Sequence, residues 1–380
     1  MHLRTILIAP NAFKGSLSAL ECARAIAEGA HDVASGIRTI LHPISDGGDG
    51  LVEVLADALG AELITSEVSG PLPGQRVAAT WAMSAQRKTA ILEMATAAGL
   101  TLVPEQGRDP KVTTTYGVGE LIREALDRNV STIIVGIGGS ATNDGGAGMG
   151  EALGVRFLDG KDTPLPRGGI YLRDLAQVDT AGLDARLRQV SFTAACDVEN
   201  PLTGLHGASM VFGPQKGAAP VDARLLDEAL LHYGRLLERT LGREVANIPG
   251  AGAAGGLGAG LLAFCNAELK RGIDIVLDAT AFDEKLAAAD LVITGEGKID
   301  AQTQFGKAPA GVVRRAHAAG VPVAAVAGII EGNRADYLGT GGFTDLISLV
   351  DEQTTPVETM RNARLLVRKR TGELIRRLLG

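Results

Sequence analysis

Four glycine-rich loops hold most of the side chains in this chain that could do chemistry. Pro10-Asn11-Ala12-Phe13-Lys14-Gly15-Ser16 sets an amine and a hydroxyl just ahead of an expected helix. A helix N-terminus beside a lysine attracts anions, although a plain turn with a solvated lysine would use the same residues. Ser45-Asp46-Gly47-Gly48-Asp49-Gly50 puts two carboxylates three positions apart between glycines. That arrangement suits Mg²⁺ or proton abstraction, and it has more glycine than an Asp N-cap requires. The longest loop runs from Gly136 to Gly148 and offers a row of amides with Ser140, Thr142, Asn143 and Asp144. Amides and hydroxyls in such a row fit terminal phosphates, while close packing alone would account for the glycines. The fourth, Thr294 to Thr303, places Glu296 and Lys298 beside glycines with Asp300 two positions on, a charge density that a purely structural loop has no need of.

Two further stretches add single groups. Asp197 follows the apolar run Val190–Ala195, and Lys216 lies in Phe212-Gly213-Pro214-Gln215-Lys216-Gly217. Pro249–Gly260 has no reactive side chain, which leaves backbone amides or close approach as its two possible uses. The pattern of a P-loop is absent: Ala301 and Ala308 stand where Gly306-Lys307 would need a glycine and a hydroxyl. Neither H-E-x-x-H nor G-x-S-x-G occurs. His42 and His206 are the histidines best placed for a cleft, with a satisfied or solvated ring as the simpler reading. Cys22, Cys196 and Cys265 are too dispersed for a zinc motif or a disulfide framework, and a thiolate at Cys196 is disfavoured beside Asp197.

These loops need strands and helices to hold them. Apolar runs at 5–9, 37–44, 291–294, 323–327 and 345–349 read as short strands. The stretches 17–30, 50–59, 307–319 and 356–379 read as helices between or after them, the first capped by Ser16 or Ser18. Alternation of this kind predicts a parallel α/β sheet covered on both faces. The middle differs: 77–81 and 88–94 are two strand-like runs joined by a polar turn, an antiparallel signal, followed by a helix at 115–127 and a strand at 132–136. The chain is therefore expected to form a discontinuous first domain, 1–68 plus 286–380, with a second domain, 69–285, inserted in it. Ser69-Gly70-Pro71-Leu72-Pro73-Gly74 reads as the linker.

Composition agrees with a globular chain that buries a sizeable core. The 380 residues are 46% apolar and 21% charged, which excludes disorder. A net charge of −7 with scattered basic residues argues against nucleic acid. No run approaches the length of a membrane span, and the N-terminus lacks the features of a signal peptide, so a cytoplasmic protein is expected. The 50 glycines exceed the usual share and cluster in the loops described above.

Taken together the loops resemble the type I glycerate kinases. The residues that carry the likeness are PNAFKGS, SDGGDG, EMATAAGL (93–100), TTTYGVGELI (113–122), GIGGSATNDGGAGMGEALG (136–154), ACDVENPL (195–202), VFGPQKGA (211–218), PGAGAAGGLGAG (249–260) and TGEGKIDAQT (294–303), in the same order along almost the whole chain. The resemblance implies ATP-dependent phosphorylation of D-glycerate, usually at the 2-hydroxyl to give 2-phosphoglycerate. It also implies Mg²⁺, and a flavodoxin-like parallel three-layer domain carrying an inserted mixed α/β domain.

Phosphoryl transfer needs positioning and charge neutralisation more than covalent help. On that chemistry, amides around Gly138, Gly139 and Ser140, with Thr142 and Asn143, are expected to cradle ATP phosphates. Lys14 and Lys298 would supply positive charge to phosphate or to the glycerate carboxylate. Asp46, Asp144 and Glu296 are the candidates for Mg²⁺, and Asp197 the base for the hydroxyl, with Asp300 second. The active site is expected in a cleft between the domains of a monomer or homodimer, with glycerate as the small-molecule partner. Three alternatives remain open. A 3-phosphoglycerate-forming kinase would differ only in regiochemistry. An NAD(P)-dependent hydroxyacid dehydrogenase would use Gly136, Gly138 and Ala141 with Asp159 on a ribose. A nucleotide-binding regulator without turnover is a third possibility.

Overall fold

The computed structural model describes residues 3–13, 15–45, 50–300, 308–351 and 356–380. Lys14 and Asp46 lie outside the described residues. The chain divides into two compact units, Met1–Asp46 with Ile273–Gly380, and Gly47–Gly272.

The first unit is built on a five-stranded sheet whose pairs are all parallel. Its strands in chain order are Thr5–Pro10, Arg38–Leu41, Leu291–Ile299, Val323–Ile330 and Asp345–Ser348. Spatially they run 2-1-3-4-5, the flavodoxin-like order. Neighbouring strand residues of both parities are buried, among them Ile6, Leu7, Ile8, Leu291, Val292 and Ile293, so both faces are covered. Helices Ala19–His31 and Ala363–Leu379 share one apolar cluster with Ile6, Ile8, Ile293 and Val326. Helix Ala308–Ala318 lies against the strands Leu291–Ile299 and Val323–Ile330 with Val312 and Ala316 buried. Ser18 caps the first helix in a reciprocal box with Glu21. The expected helix 356–379 is two pieces, Pro356–Arg361 and Ala363–Leu379.

The second unit holds a six-stranded mixed sheet. Strands Thr89–Glu93, Thr132–Gly136, Ser191–Ala195 and Glu268–Lys270 are parallel. Arg76–Ser84 and Glu62–Ser69 continue the sheet antiparallel. The antiparallel relation expected between 77–81 and 88–94 is present as Ala82↔Ile91 to Ser84↔Thr89.

The contacts put both domain boundaries elsewhere than 68/69 and 285/286. Helix Leu51–Leu59 belongs to the second unit because strand side chains pin its ends: Glu93 accepts the Val52 N–H at 2.9 Å, and Ser84 Oγ donates to Leu59 O at 2.9 Å. Strand Glu62–Ser69 pairs with Arg76–Ser84, so residues 69–74 are the turn of a hairpin and not a linker. At the other boundary, Arg315 bonds Asp278 and Asp283, each at 2.6 Å, and Ile273 packs over Gly311. These contacts tie the helices at 272–286 to the first unit. Among the described residues no helix is long and apolar enough to cross a membrane.

Candidate active site

Four parallel strands of the second unit end level with one another: Glu93, Gly136, Ala195 and Lys270 are in register across the sheet. Their following loops therefore emerge along one edge, the carboxyl edge where α/β sheets collect ligands. The loop after Gly136 is sewn to its neighbour, with Leu100 N–H donating to Gly139 O at 2.8 Å and Ala141 N–H to Ala98 O at 2.9 Å. Gly138 and Gly139 are exposed at its tip, and Gly139 adopts φ +71°, which glycine takes without strain.

Beyond the tip the loop turns inward. Ser140, Thr142, Asn143 and Asp144 are all buried. Asp144 organises the turn through the N–H and Oγ of Thr115, at 2.8 and 2.9 Å, and the N–H groups of Gly146 and Gly148, both at 3.2 Å. Burial pushes its carboxyl above the usual range while these donors pull it back. Its oxygens are thus taken up by the protein, unlike those of a magnesium ligand. Thr142 and Asn143 do not reach the surface either. Asn143 Nδ2 donates to Ser209 Oγ at 2.8 Å, while Thr142 Oγ1 and Asn143 Oδ1 have no protein partner. Of the expected phosphate cradle, only Gly138 and Gly139 are exposed.

Lys216, read from sequence as a mere loop lysine, is the buried cation behind this loop. Its Nζ donates to Ser140 Oγ and to Thr142 O, each at 2.7 Å, and its side chain is sealed from solvent. Burial lowers its ammonium to about 7, with Asp144 acting in the opposite sense. The only signal in the sequence was a lysine held between Pro214 and a glycine, Gly217, which takes φ +96°.

The stretch Pro249–Gly260 is used for close approach. Gly255 has φ +67°, and a Cβ there would overlap the Thr142 carbonyl; one on Gly256 would overlap Gly145. Gly145 N–H donates to Gly255 O at 3.0 Å, so the two glycine-rich segments lock together. Asp197 stands exposed after strand Ser191–Ala195, one oxygen accepting the Gly272 N–H at 3.0 Å. Burial pushes the neighbouring Cys196 thiol up to about 11, leaving it a packing residue.

The dinucleotide reading fails on local geometry. The turn at Gly136–Ala141 does not open a helix; the next helix begins only at Ala147 and is six residues long. Asp159 accepts the N–H groups of Lys161 and Thr163, at 2.7 and 2.9 Å, and so closes its own turn.

In the first unit the strand Leu291–Ile299 outruns expectation. Gly295 to Ile299 continue the pairing with Val326–Ile330, so Glu296 and Lys298 sit on a strand and Asp300 just past its end. The glycines explain why the strand was hard to read: a Cβ on Gly295 would overlap Val326 O, and one on Gly328 would overlap Gly297 O. Glu296 is buried, whereas Lys298 is half-exposed and paired with Glu331 at 2.6 Å and Asp300 at 3.5 Å. His42 is a satisfied core ring, bonded to Thr280 Oγ1 at 2.7 Å and to Lys285 Nζ at 3.0 Å, and burial lowers it to about 3.

Among the described residues no group of three potential ligands is gathered for a metal. Magnesium asks less of a protein, since it keeps waters and binds one or two carboxylates together with substrate phosphates. Glu296 and Asp300 are hard oxygen donors of that kind, Asp300 paired with Lys298 at 3.5 Å.

The model of the glycerate kinase family matches residues 6–379. A Halalkalibacterium halodurans protein named glycerate kinase is 52% identical over 326 residues, 86% of either chain. An Escherichia coli protein named glycerate 2-kinase is 48% identical over 323 residues, 85% of this chain and 84% of that one. The crystal structure of a Salmonella typhimurium protein, described as a candidate glycerate kinase 2, superposes with a TM-score of 0.88 at 46% identity, covering 99% of this chain and 98% of that one. With strand order, loop chemistry and relatives in agreement from end to end, the chain belongs to the glycerate kinase family.

Proposed function

We propose that this chain transfers the terminal phosphoryl group of ATP to the 2-hydroxyl of D-glycerate. The observation that carries the reading is the tip Gly138–Gly139 at the carboxyl edge of four parallel strands, backed by the buried Lys216 cation. Backbone donors held rigid from behind favour the charge that spreads over a transferring phosphoryl group. The family match and the relative named glycerate 2-kinase support the choice of acid and hydroxyl.

The roles follow from chemistry. Gly138 and Gly139 meet phosphate oxygens, with the buried Ser140 bracing the tip from behind. Lys216 acts through Ser140 and the Thr142 carbonyl as a positioning residue. Asp197, exposed just past the end of strand Ser191–Ala195, accepts the proton of the glycerate hydroxyl. Lys298 and Lys14 offer charge to phosphate or to the substrate carboxylate. Glu296 and Asp300 would hold Mg²⁺, with Asp46 as a further candidate; the ion, when bound, neutralises phosphate charge. Asp144 is reassigned from metal ligand to organiser of the glycine loop.

The test is incubation with ATP, Mg²⁺ and D-glycerate, with the product read by phosphorus and proton NMR. Formation of 2-phosphoglycerate is expected. Exclusive 3-phosphoglycerate overturns the regiochemistry, and no phosphorylated acid overturns the function.

A further inference from the structure

We propose that a cavity in the first unit is the subsite for the adenosine half of the nucleotide, an inference that rests on the ATP-dependent reading above. The cavity measures about 410 Å³, within the ordinary range of small-molecule pockets. It lies where strands Thr5–Pro10, Leu291–Ile299 and Val323–Ile330 end, and is closed by the turn from helix Pro356–Arg361 into Ala363–Leu379.

Its place in the sheet is the first argument. In the 2-1-3-4-5 order, strands Thr5–Pro10 and Leu291–Ile299 are neighbours. The helix after the former joins the cluster of Ile6, Ile8 and Ile293, whereas the helix after the latter stands outside that cluster. Connections that leave neighbouring strands towards opposite faces open a crevice between them, and open α/β sheets bind ligands in that crevice.

The walls give the second argument. Phe13, Ile329, Leu349, Val350 and Met360 make the lining mainly apolar. Polar groups are confined to Asn11, Ser16, Glu296, Lys298 and Thr359. A purine has apolar faces and a polar edge, so it can lie against such walls while its edge and ribose meet Asn11, Ser16 and Thr359, leaving Glu296 and Lys298 to the phosphate side. Glycerate cannot: each of its three carbons bears oxygen, and setting a hydroxyl or carboxylate against Leu349 and Val350 would strip its hydration without replacement. Two rim side chains support an apolar occupant. Ile329 is 38% exposed and Met360 52% exposed, and a methionine adapts its shape to a flat ring.

Ile329→Trp tests the assignment. The side chain projects partly into solvent, so the fold should tolerate the larger ring, which narrows the cavity mouth. Initial rates are measured with ATP and D-glycerate varied separately, and calorimetry follows ADP and inorganic tripolyphosphate binding to the full chain. We expect the KM for ATP to rise about ten- to a hundredfold and ADP affinity to fall alike, the size of a lost apolar contact. The KM for glycerate and tripolyphosphate affinity should stay within about twofold. Unchanged ATP and ADP parameters, or a rise in the glycerate KM alone, would overturn the subsite. Photolabelling with 8-azido-ADP supplies a second readout: adducts on peptides bearing Ile329 or Met360 support it, and adducts confined to 47–272 refute it. If the wild-type chain phosphorylates no glycerate, the functional reading has failed, while ADP binding and labelling still decide the cavity.

Discussion

Replacing Lys216 with methionine removes a buried charge while keeping an unbranched chain of similar length. The ammonium falls from an ordinary 10.5 to about 7 because burial strips its hydration. A folded value below the unfolded one means that the charged lysine opposes folding. That opposition is complete below about pH 7, where both states hold the proton, and fades as pH climbs towards 10.5, where the unfolded lysine loses it too. At 1.36 kcal/mol per unit, the relief between pH 7 and 9.5 is roughly 3 kcal/mol for a difference of this size. The single tryptophan reports on the right part of the molecule. Trp81 is fully buried in the second unit, its Nε1 donating to Ser66 Oγ at 2.9 Å. Urea unfolding followed by its fluorescence at the two pH values should show the wild type gaining about 3 kcal/mol relative to Lys216→Met. The variant also leaves Ser140 Oγ and Thr142 O without their cation, so the KM for ATP should rise at both pH values. Parallel pH dependence in the two proteins would refute the idea that a titrating, solvent-sealed lysine supports the glycine loop.

Three further outcomes are expected. Asp197→Asn should lower kcat by about 10²–10⁴ with little change in ATP affinity, as loss of a general base does, and near-normal turnover would remove Asp197 from that role. Asp144→Ala abandons donors on Thr115, Gly146 and Gly148 and should destabilise the second unit by about 3–5 kcal/mol in the Trp81 assay; a loss under about 1 kcal/mol would mean the carboxylate organises nothing. Gly255→Ala forces a Cβ into the Thr142 carbonyl at positive φ and should lose about 2–4 kcal/mol, whereas Gly36→Ala, with open space around it, should lie within about 0.5 kcal/mol of wild type. Equal unfolding midpoints for those two alanine variants would count against the interlock of the two glycine segments.

What could be read from sequence followed from local pattern. The runs at 5–9, 132–136 and 323–327 are uninterrupted apolar segments, and they are strands Thr5–Pro10, Thr132–Gly136 and Val323–Ile330. Ser18 and Glu21 announce a capping box within four residues. What escaped depends on partners distant in the chain. Lys216 meets Ser140 across 76 positions, and nothing near either residue signals the pairing. The glycines of 294–299 read as a loop because their purpose, room for the neighbouring backbone, lies on another strand. Residues 69–74 have the composition of a linker, but hairpin turns draw on the same glycines and prolines, and only the pairing of Glu62–Ser69 with Arg76–Ser84 distinguishes the two. Asp144 offered a carboxylate between glycines, and the sequence could not tell that four protein donors already surround it.

The discontinuity of the first unit bears on how the chain is made. Strand Thr5–Pro10 leaves the ribosome early, and Arg38–Leu41 soon offers it one partner. Its other partner, Leu291–Ile299, is translated only after the whole second unit. At about 5–20 residues per second, that interval lasts on the order of tens of seconds. During it Ile6, Leu7 and Ile8 present an open hydrogen-bonding edge in the nascent polypeptide, while residues 47–272 already possess every strand of their own sheet. Vectorial synthesis thus favours maturation from the middle outward, and chaperone demand should concentrate on the amino-terminal segment.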